Sequence, residues 1–386
     1  VFAAPAGYPR GIATVPVRPL SHSRILGLDG LRGLAAFMVI VHHTAIKGTD
    51  IGGLSVFMFF ILSGFLITGI LIGQRKAIEA GAETIGTALK AFWLQRALRI
   101  FPAYYFWFVV FLVVDELAFG EKTLPYWPWY VLYLQNFLIG YVTFAWAEFT
   151  HTWSLAVEQQ YYVFFAPLVL IVPSRHQLAF FAGAIGLCLV ATLVLMSRGF
   201  EMVTLYTSPS TGFVFMACGA IMAATRGRVP AWVSSRPVFL LAVVLVVALA
   251  LYPVAERNHI VKLPYVVLIV ASALALSTVM LGILGRPLSW TVAILETRSL
   301  RFLGLISYAL YIVHLPVGEW LEKNVDLERL GAVVGLSADM ADFVIVSAVS
   351  ILLATLSYHL VEKRFLALKQ RLKRAPAPPD EAAPAL

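Results

Sequence analysis

The chain has 386 residues, 60% of them hydrophobic and 13% charged, with a formal net charge of +8. So few charged groups cannot cover the surface of a soluble protein this long, which excludes a water-soluble enzyme or binding module. The basic excess comes with no nucleic-acid motif, so no nucleic-acid partner is expected; in a membrane protein it marks cytoplasmic loops.

Residues 1–23 carry Pro and Arg without the continuous apolar core of a signal peptide, and read as a cytoplasmic N-terminal tail. A membrane domain over 24–364 follows. Its apolar segments lie at about 27–46, 53–72, 100–118, 126–146, 153–172, 177–197, 207–224, 237–254, 263–284, 302–320 and 341–360, each near the length that crosses ~30 Å of hydrocarbon. Cys188 and Cys218 sit inside apolar runs without metal-ligand spacing and read as packing residues. Residues 365–386 read as a cytoplasmic, partly disordered tail that ends rich in Pro and Ala.

Basic clusters at Arg10–Arg32, Arg75–Arg99, Arg175, Arg226–Arg236, Arg286–Arg301 and Lys363–Arg374 hold 22 of the 29 Lys and Arg. Both termini are therefore expected in the cytoplasm. Eleven crossings cannot deliver that. The segment 126–146 is rich in Trp and Tyr, which prefer the interface, and Pro125 and Pro128 oppose a regular helix start. The expected fold is an all-α polytopic membrane helix bundle of ten crossings plus one re-entrant or interfacial segment. No internal repeat is evident, which counts against inverted-repeat transporters.

Charge within a bilayer is costly, so ionisable groups in these segments are candidate functional residues. Arg32 and His43 are eleven residues apart, which puts them on one helix face about 16 Å apart, whereas His42 is turned ~80° from that line. Asp29 stands one turn before Arg32. Arg96 and Arg99 lie one turn apart at the entrance of the third segment and suit a phosphorylated polyanion, though paired anchors of topology would look the same. His151 and Glu158, seven residues apart, are expected on one face at the external side. Ser307, Tyr311 and His314 form one stripe, and Ser63 is a polar group among the close-packing residues around Gly64. No zinc signature, P-loop or nucleophile elbow is present, and no metal is expected. These groups fit acid–base chemistry on a hydroxyl beside a phosphate-bearing donor. They fit equally a transporter or flippase with a proton-coupled His/Glu relay, and a non-enzymatic scaffold in glycan assembly remains a third reading.

The ordered series Leu28-Asp-Gly-Leu-Arg-Gly33 with His43, Phe59-Phe-Ile-Leu-Ser-Gly-Phe65, Arg96 with Arg99 and Pro102, Thr152-Trp-Ser-Leu-Ala-Val-Glu158, and Ser307-Tyr-Ala-Leu-Tyr311 with His314 resembles acyltransferase family 3. This is a multi-spanning group of the bacterial inner membrane. The resemblance runs from about Arg24 to Arg364. It implies transfer of an acyl group, usually acetyl, from cytoplasmic acyl-CoA (acetyl-CoA) to a hydroxyl on a sugar, glycolipid or macrolide. Arg32 and His43 match the family's arginine–ten residues–histidine pattern, Arg96 and Arg99 its arginine pair, and Glu158 its glutamate. Many relatives carry an extracytoplasmic esterase-like domain after the last span. Only 26 residues follow position 360, so no such domain is expected, and direct use of the acceptor or a separate extracytoplasmic transferase is the expectation.

The corresponding expectation is that Arg96, Arg99 and Arg32 hold the coenzyme A phosphates while His43 acts as general base, with a covalent acyl-histidine as the less favoured route. Catalytic roles fall to His43, Glu158 and Arg32, with Asp29 orienting Arg32. His151, Ser154, His314, Tyr311, Ser63 and Asp29 are expected near the substrates, with Glu158 and His151 serving the acceptor from the external side.

Overall fold

The computed structural model describes residues 25–114, 116, 124–146, 149–225, 230–258, 263–285 and 288–374, with the side chains of residues 328, 334 and 369–374 set aside. The tails over 1–23 and 375–386 lie outside the described residues, as do Glu121 and Glu148 at the flanks of the aromatic segment.

The chain folds as helices alone among those residues. In order they are α1 (Leu28–Thr44), α2 (Ile51–Glu79), α3 (Ile85–Val114), α4 (Trp127–Val131), α5 (Gln135–Phe137), α6 (Trp153–Ile171), α7 (Gln177–Ser197), α8 (Met202–Thr207), α9 (Pro209–Ala224), α10 (Arg236–Arg257), α11 (Tyr265–Gly285), α12 (Ser289–Leu295), α13 (Arg298–Asn324), α14 (Leu327–Val334), α15 (Ala338–Ser357) and α16 (Lys363–Arg374). Nine helices among the described residues are long and apolar enough to cross a membrane, counting α8 and α9 as one and α15 with its continuation as another. The protein is a multi-pass membrane helix bundle. At 17 residues α1 is about 25 Å long, shorter than a full hydrocarbon core, and is not among the nine.

The expected segment 126–146 is no single helix. It consists of a 3₁₀ turn (Leu124–Tyr126), the short α4 and α5, and a π turn (Leu138–Thr143). Tyr133 and Phe144 take positive φ, 54° and 49°, which breaks the helical ladder. A buried irregular backbone needs partners from within the protein. Side chains supply them. Tyr104 Oη donates to Tyr130 O at 3.0 Å, Tyr105 Oη to Val131 O at 2.8 Å, and Gln160 Nε2 to Tyr133 O at 3.0 Å. Thr204 donates to the Gly140 carbonyl. Gln135 Nε2 in turn donates to Thr152 O at 2.9 Å and so ties the segment to the start of α6.

Two close helix crossings build the core. On α1, Gly30 and Gly33 face the backbone of Leu295 and Leu300, and Gly304 of α13 faces the Asp29 carbonyl. On the other side of the bundle Gly64 of α2 meets the Met216 backbone of α9, and Gly219 meets Ile61. Without Cβ atoms the helices approach until backbones touch, which gives dispersion contact where no hydrophobic effect drives association in lipid. Phe57 and Phe215 stack at 4.1 Å beside the second crossing. A π turn (Tyr358–Glu362) continues α15 directly into α16, so residues 365–374 of the C-terminal tail are helical, and α16 packs against α3.

Replacing Gly304 by Leu would drive a side chain into the Asp29 carbonyl. A loss of several kcal/mol of stability is expected, beyond the ~1–3 kcal/mol of ordinary overpacking because backbone cannot yield. Gly186→Leu on α7, where a Cβ meets open space, is the control. Thermal unfolding in detergent should separate the two variants clearly.

Candidate functional site

Two cavities penetrate the bundle from opposite directions. The first, about 900 Å³, is bordered by Arg32, Lys76, Arg96, Arg99 and Glu158, with Ser63, Ser154, Tyr162, Ser307, Tyr308 and Tyr311 among its other polar walls. Its charged lining is four cations against one carboxylate. Arg32 enters near the start of α1, Lys76 near the end of α2, and Arg96 and Arg99 from the middle of α3, so antiparallel neighbours bring their basic ends together. Glu158 is the local counter-ion. It accepts from the Ser63 hydroxyl and, at 2.5 Å, from Tyr162 Oη, and Tyr162 also acts electrostatically on Arg96. The Arg96 guanidinium lies 5.9 Å from the Phe92 ring centre, and its Nε has no partner. A cavity with this imbalance attracts a polyanion, and arginine forks suit phosphate oxygens.

The second cavity, about 800 Å³, gathers His42, His43, His151 and His314 with Asp50, Tyr206 and Glu319. Val56 and Tyr311 border both cavities and form the wall between them. The imidazoles lie in a row: His42 to His43 at 4.8 Å between ring centres, His43 to His314 at 5.4 Å, His314 to His151 at 5.3 Å. Tyr311 Oη is 2.7 Å from Ser154 Oγ and donates to His151 O at 2.8 Å, which pins the wall in place.

The hydrogen bonds of two of these histidines set their tautomers. His314 Nδ1 lies 2.7 Å from Tyr311 O, and His151 Nε2 lies 3.0 Å from Ile312 O. A carbonyl only accepts, so those nitrogens carry hydrogen and the opposite ones, His314 Nε2 and His151 Nδ1, hold lone pairs. Both are buried and without a partner. Pro316 explains why Ile312 O is available. Having no N–H, a proline inside α13 leaves the carbonyl four residues earlier without its helical bond.

Several sequence expectations are sharpened or corrected by this arrangement. Arg32 and His43, expected on one face of α1, open into different cavities. His42 was set apart by helical angle, but its ring lines the same cavity as His43, because the opening lies between α2, against which His42 packs at Gly52, and α13, against which His43 faces His314. His151 and Glu158 were placed together at the external side. The structure separates them: His151 belongs to a 3₁₀ turn (Thr150–Thr152), and Glu158 lies further along α6 among the arginines. Ser63 and Ser154 border the arginine cavity. Asp29 borders neither cavity, although its charge acts on Arg32. The stripe Ser307–Tyr311–His314 runs from one cavity to the other. Among the described residues no group of three or more His, Cys, Asp or Glu is arranged to hold a metal ion.

Sequence reasoning missed Asp50, Lys76, Tyr162, Glu319 and Glu362. The last is a carboxylate 7% exposed in the π turn before α16, within range of Arg99 and Arg32. Its neighbours Lys363 and Arg364 masked it as part of a basic tail. Asp50 precedes α2 in a short loop, where an acid looks like an ordinary surface residue.

Burial alone lifts the Asp50 carboxyl to about 7. Because the folded-state value lies above the unfolded one of 3.8, ionisation opposes folding: stability is fully present below about pH 4 and is lost as the pH rises through 7. Asp50→Asn should therefore raise the melting temperature at pH 8, by roughly 2–4 °C per kcal/mol regained, and leave it unchanged near pH 4. Thermal shift in detergent across that range measures it.

Comparison with known proteins agrees with this picture. The acyltransferase family 3 domain model matches residues 25–359. A putative peptidoglycan O-acetyltransferase of Bacillus subtilis, YrhL, is 27% identical over 370 residues, covering 89% of this chain and 55% of its own length. A putative O-acetyltransferase of Staphylococcus aureus, SACOL0978, is 25% identical over 370 residues, covering 88% of this chain and 57% of its own. The peptidoglycan O-acetyltransferase OatA of Listeria monocytogenes is 24% identical over 322 residues, covering 77% and 50%. The chain thus spans about half the length of the curated relatives it matches. No solved structure matches. With a family model covering most of its length, including both cavities, the chain belongs to the acyltransferase family.

Proposed function

We propose that this protein is an O-acyltransferase of the bacterial inner membrane that takes an acyl group, acetyl by analogy with the names of its relatives, from cytoplasmic acyl-CoA and delivers it to a hydroxyl on a sugar, glycolipid or related acceptor. The observation that carries the reading is the pairing of a cavity with four cations and one carboxylate with a cavity lined by four histidines, joined at Val56 and Tyr311. The positive-inside bias puts the arginine cavity on the cytoplasmic side, where acyl-CoA is found. In this arrangement α1 is a tenth crossing, and the broken segment 124–146 enters and leaves on the external face.

Arg96 and Arg99, with Arg32 and Lys76, receive the coenzyme A phosphates, and Glu158 holds the arginine array against mutual repulsion. The extended pantetheine arm runs up the cavity toward Tyr311 and Val56, past which the thioester reaches His43. His43 removes the acceptor's hydroxyl proton as the oxygen attacks the thioester carbonyl. The C–O bond forms, the C–S bond breaks, and the proton passes from His43 to the departing sulfur. Asp29 orients Arg32 from the start of α1.

In His43→Ala, loss of acetyl from radiolabelled acetyl-CoA to acceptor or water should fall by about 10²–10⁴ while the protein stays folded. Near-wild-type turnover would remove the base assignment. Arg96→Ala/Arg99→Ala should instead weaken acetyl-CoA binding about tenfold or more by isothermal titration, as expected for loss of charge-assisted bonds. Unchanged affinity would defeat the donor site. Single cysteines at positions 121 and 148, tested with an impermeant thiol reagent, are expected to label from the same external side; labelling from opposite sides would make 124–146 a crossing.

A further inference from the structure

The base proposed above has a neighbour with an unusual hydrogen-bonding state. His314 is 2% exposed, its Nδ1–H is committed to the Tyr311 carbonyl, and its Nε2 lone pair has no partner. A buried acceptor left empty carries a free-energy cost that native structures ordinarily avoid. The ring centre of His43 is 5.4 Å from that of His314, a separation at which ring nitrogens that face each other come within hydrogen-bonding distance. His151 packs edge-on against His314 at 84°, which restrains the His314 ring.

We infer that His314 is a positioning residue for His43: its carbonyl-anchored ring presents Nε2 as the acceptor that orients His43 and shares the proton His43 takes from the acceptor hydroxyl. The inference rests on the acyl-transfer reading for its catalytic consequence, but not for the histidine pair itself. The chain of contacts is a backbone carbonyl, His314, His43 and then the substrate hydroxyl. A base whose second nitrogen is held by a fixed acceptor keeps one ring orientation and one tautomer, the arrangement that activated nucleophile systems use. The donation from Nδ1 to Tyr311 O polarises the ring and strengthens Nε2 as an acceptor. When His43 gains the substrate proton, the new charge is spread over two imidazoles and a carbonyl rather than left on one ring in an apolar bundle. When the thiolate departs, the proton returns through His43 to sulfur, and both rings end as they began.

The other ionisable groups around the pair are His42 on α1, Lys47 and Asp50 in the following loop, His151, Tyr206 on α8, Tyr311 and Glu319 on α13, and Asp342 on α15, which pairs with Lys47 at 3.9 Å. All are retained in the test. Full-length protein in nanodiscs is compared as wild type, His314→Phe and His314→Gln. Phe keeps a ring of similar shape and no acceptor. Gln keeps an acceptor oxygen near the position of Nε2 and loses the ring. Two readouts are taken: kcat and KM for acetyl-CoA cleavage to water, and the initial rate of diethyl pyrocarbonate modification at His43, resolved by mass spectrometry with His42 as internal reference. The expected result is a 10- to 100-fold fall in kcat for Phe with KM unchanged, partial recovery in Gln, and the same order in His43 reactivity. A purely structural His314 gives the reverse order, with Phe the better substitute, and this outcome or an unchanged His43 reactivity in His314→Phe overturns the inference. If wild type cleaves no acetyl-CoA while His43 reactivity follows the expected order, the histidine pair stands and the acyl-transfer reading fails.

Discussion

The contact between α1 and α13 is the constraint on which the rest of this structure depends. Gly33 and Gly304 let the two backbones touch, with Gly30 seated against Leu295 at the end of the adjoining α12, so side chains on the adjoining faces are held at fixed separations. One consequence is that His43 meets His314. Another is that Arg32 and Ser307, each several residues nearer the other end, open into one cavity. In lipid, where apolar packing gains nothing from expelling water, backbone-to-backbone contact is what makes such a crossing rigid.

That rigidity supports a division of charge. Four cations collect around one end of the bundle and four imidazoles around the other, and Tyr311 with Val56 stands between. Coulombic effects in a medium of low dielectric are long-ranged, so interposed protein and distance are the available means of keeping the basic array from dominating the imidazoles. The rise of ~16 Å between Arg32 and His43 along α1 gives the distance. Glu158, bound by Ser63 and Tyr162, reduces the repulsion within the basic array without reaching the histidines.

The same low dielectric explains the irregular parts. A segment broken by Pro125, Pro128 and two positive-φ aromatic residues would be untenable against lipid, yet here Tyr104, Tyr105, Gln160 and Thr204 meet its carbonyls. Pro316 works in the opposite sense within α13. It frees one carbonyl, and His151 takes it, which fixes that ring and supports the wall that Tyr311 forms.

The helices and the type of fold were legible in the sequence, because apolar runs of twenty residues bounded by Arg, Pro and Gly have one stable outcome in a bilayer. Some of the residues that line the cavities were legible too, since Arg32, Arg96, Glu158 and His314 are costly in hydrocarbon and mark themselves by being there, whereas Asp50, Lys76, Tyr162 and Glu319 passed for ordinary loop, anchor or packing residues. What periodicity could not decide was their partnership. Helical angle set His42 apart from His43, and seven-residue spacing joined His151 to Glu158; both inferences treat a helix as an isolated cylinder. Only the packing of α1 between α2 and α13 put both histidines on one opening, and only the 3₁₀ turn before α6 sent His151 and Glu158 to different cavities. Local sequence determined which groups leave the aqueous phase. Which of them meet was decided by contacts between segments far apart in the chain, such as Gly27 N donating to Glu296 Oε1 across 269 positions, and no local pattern encodes those.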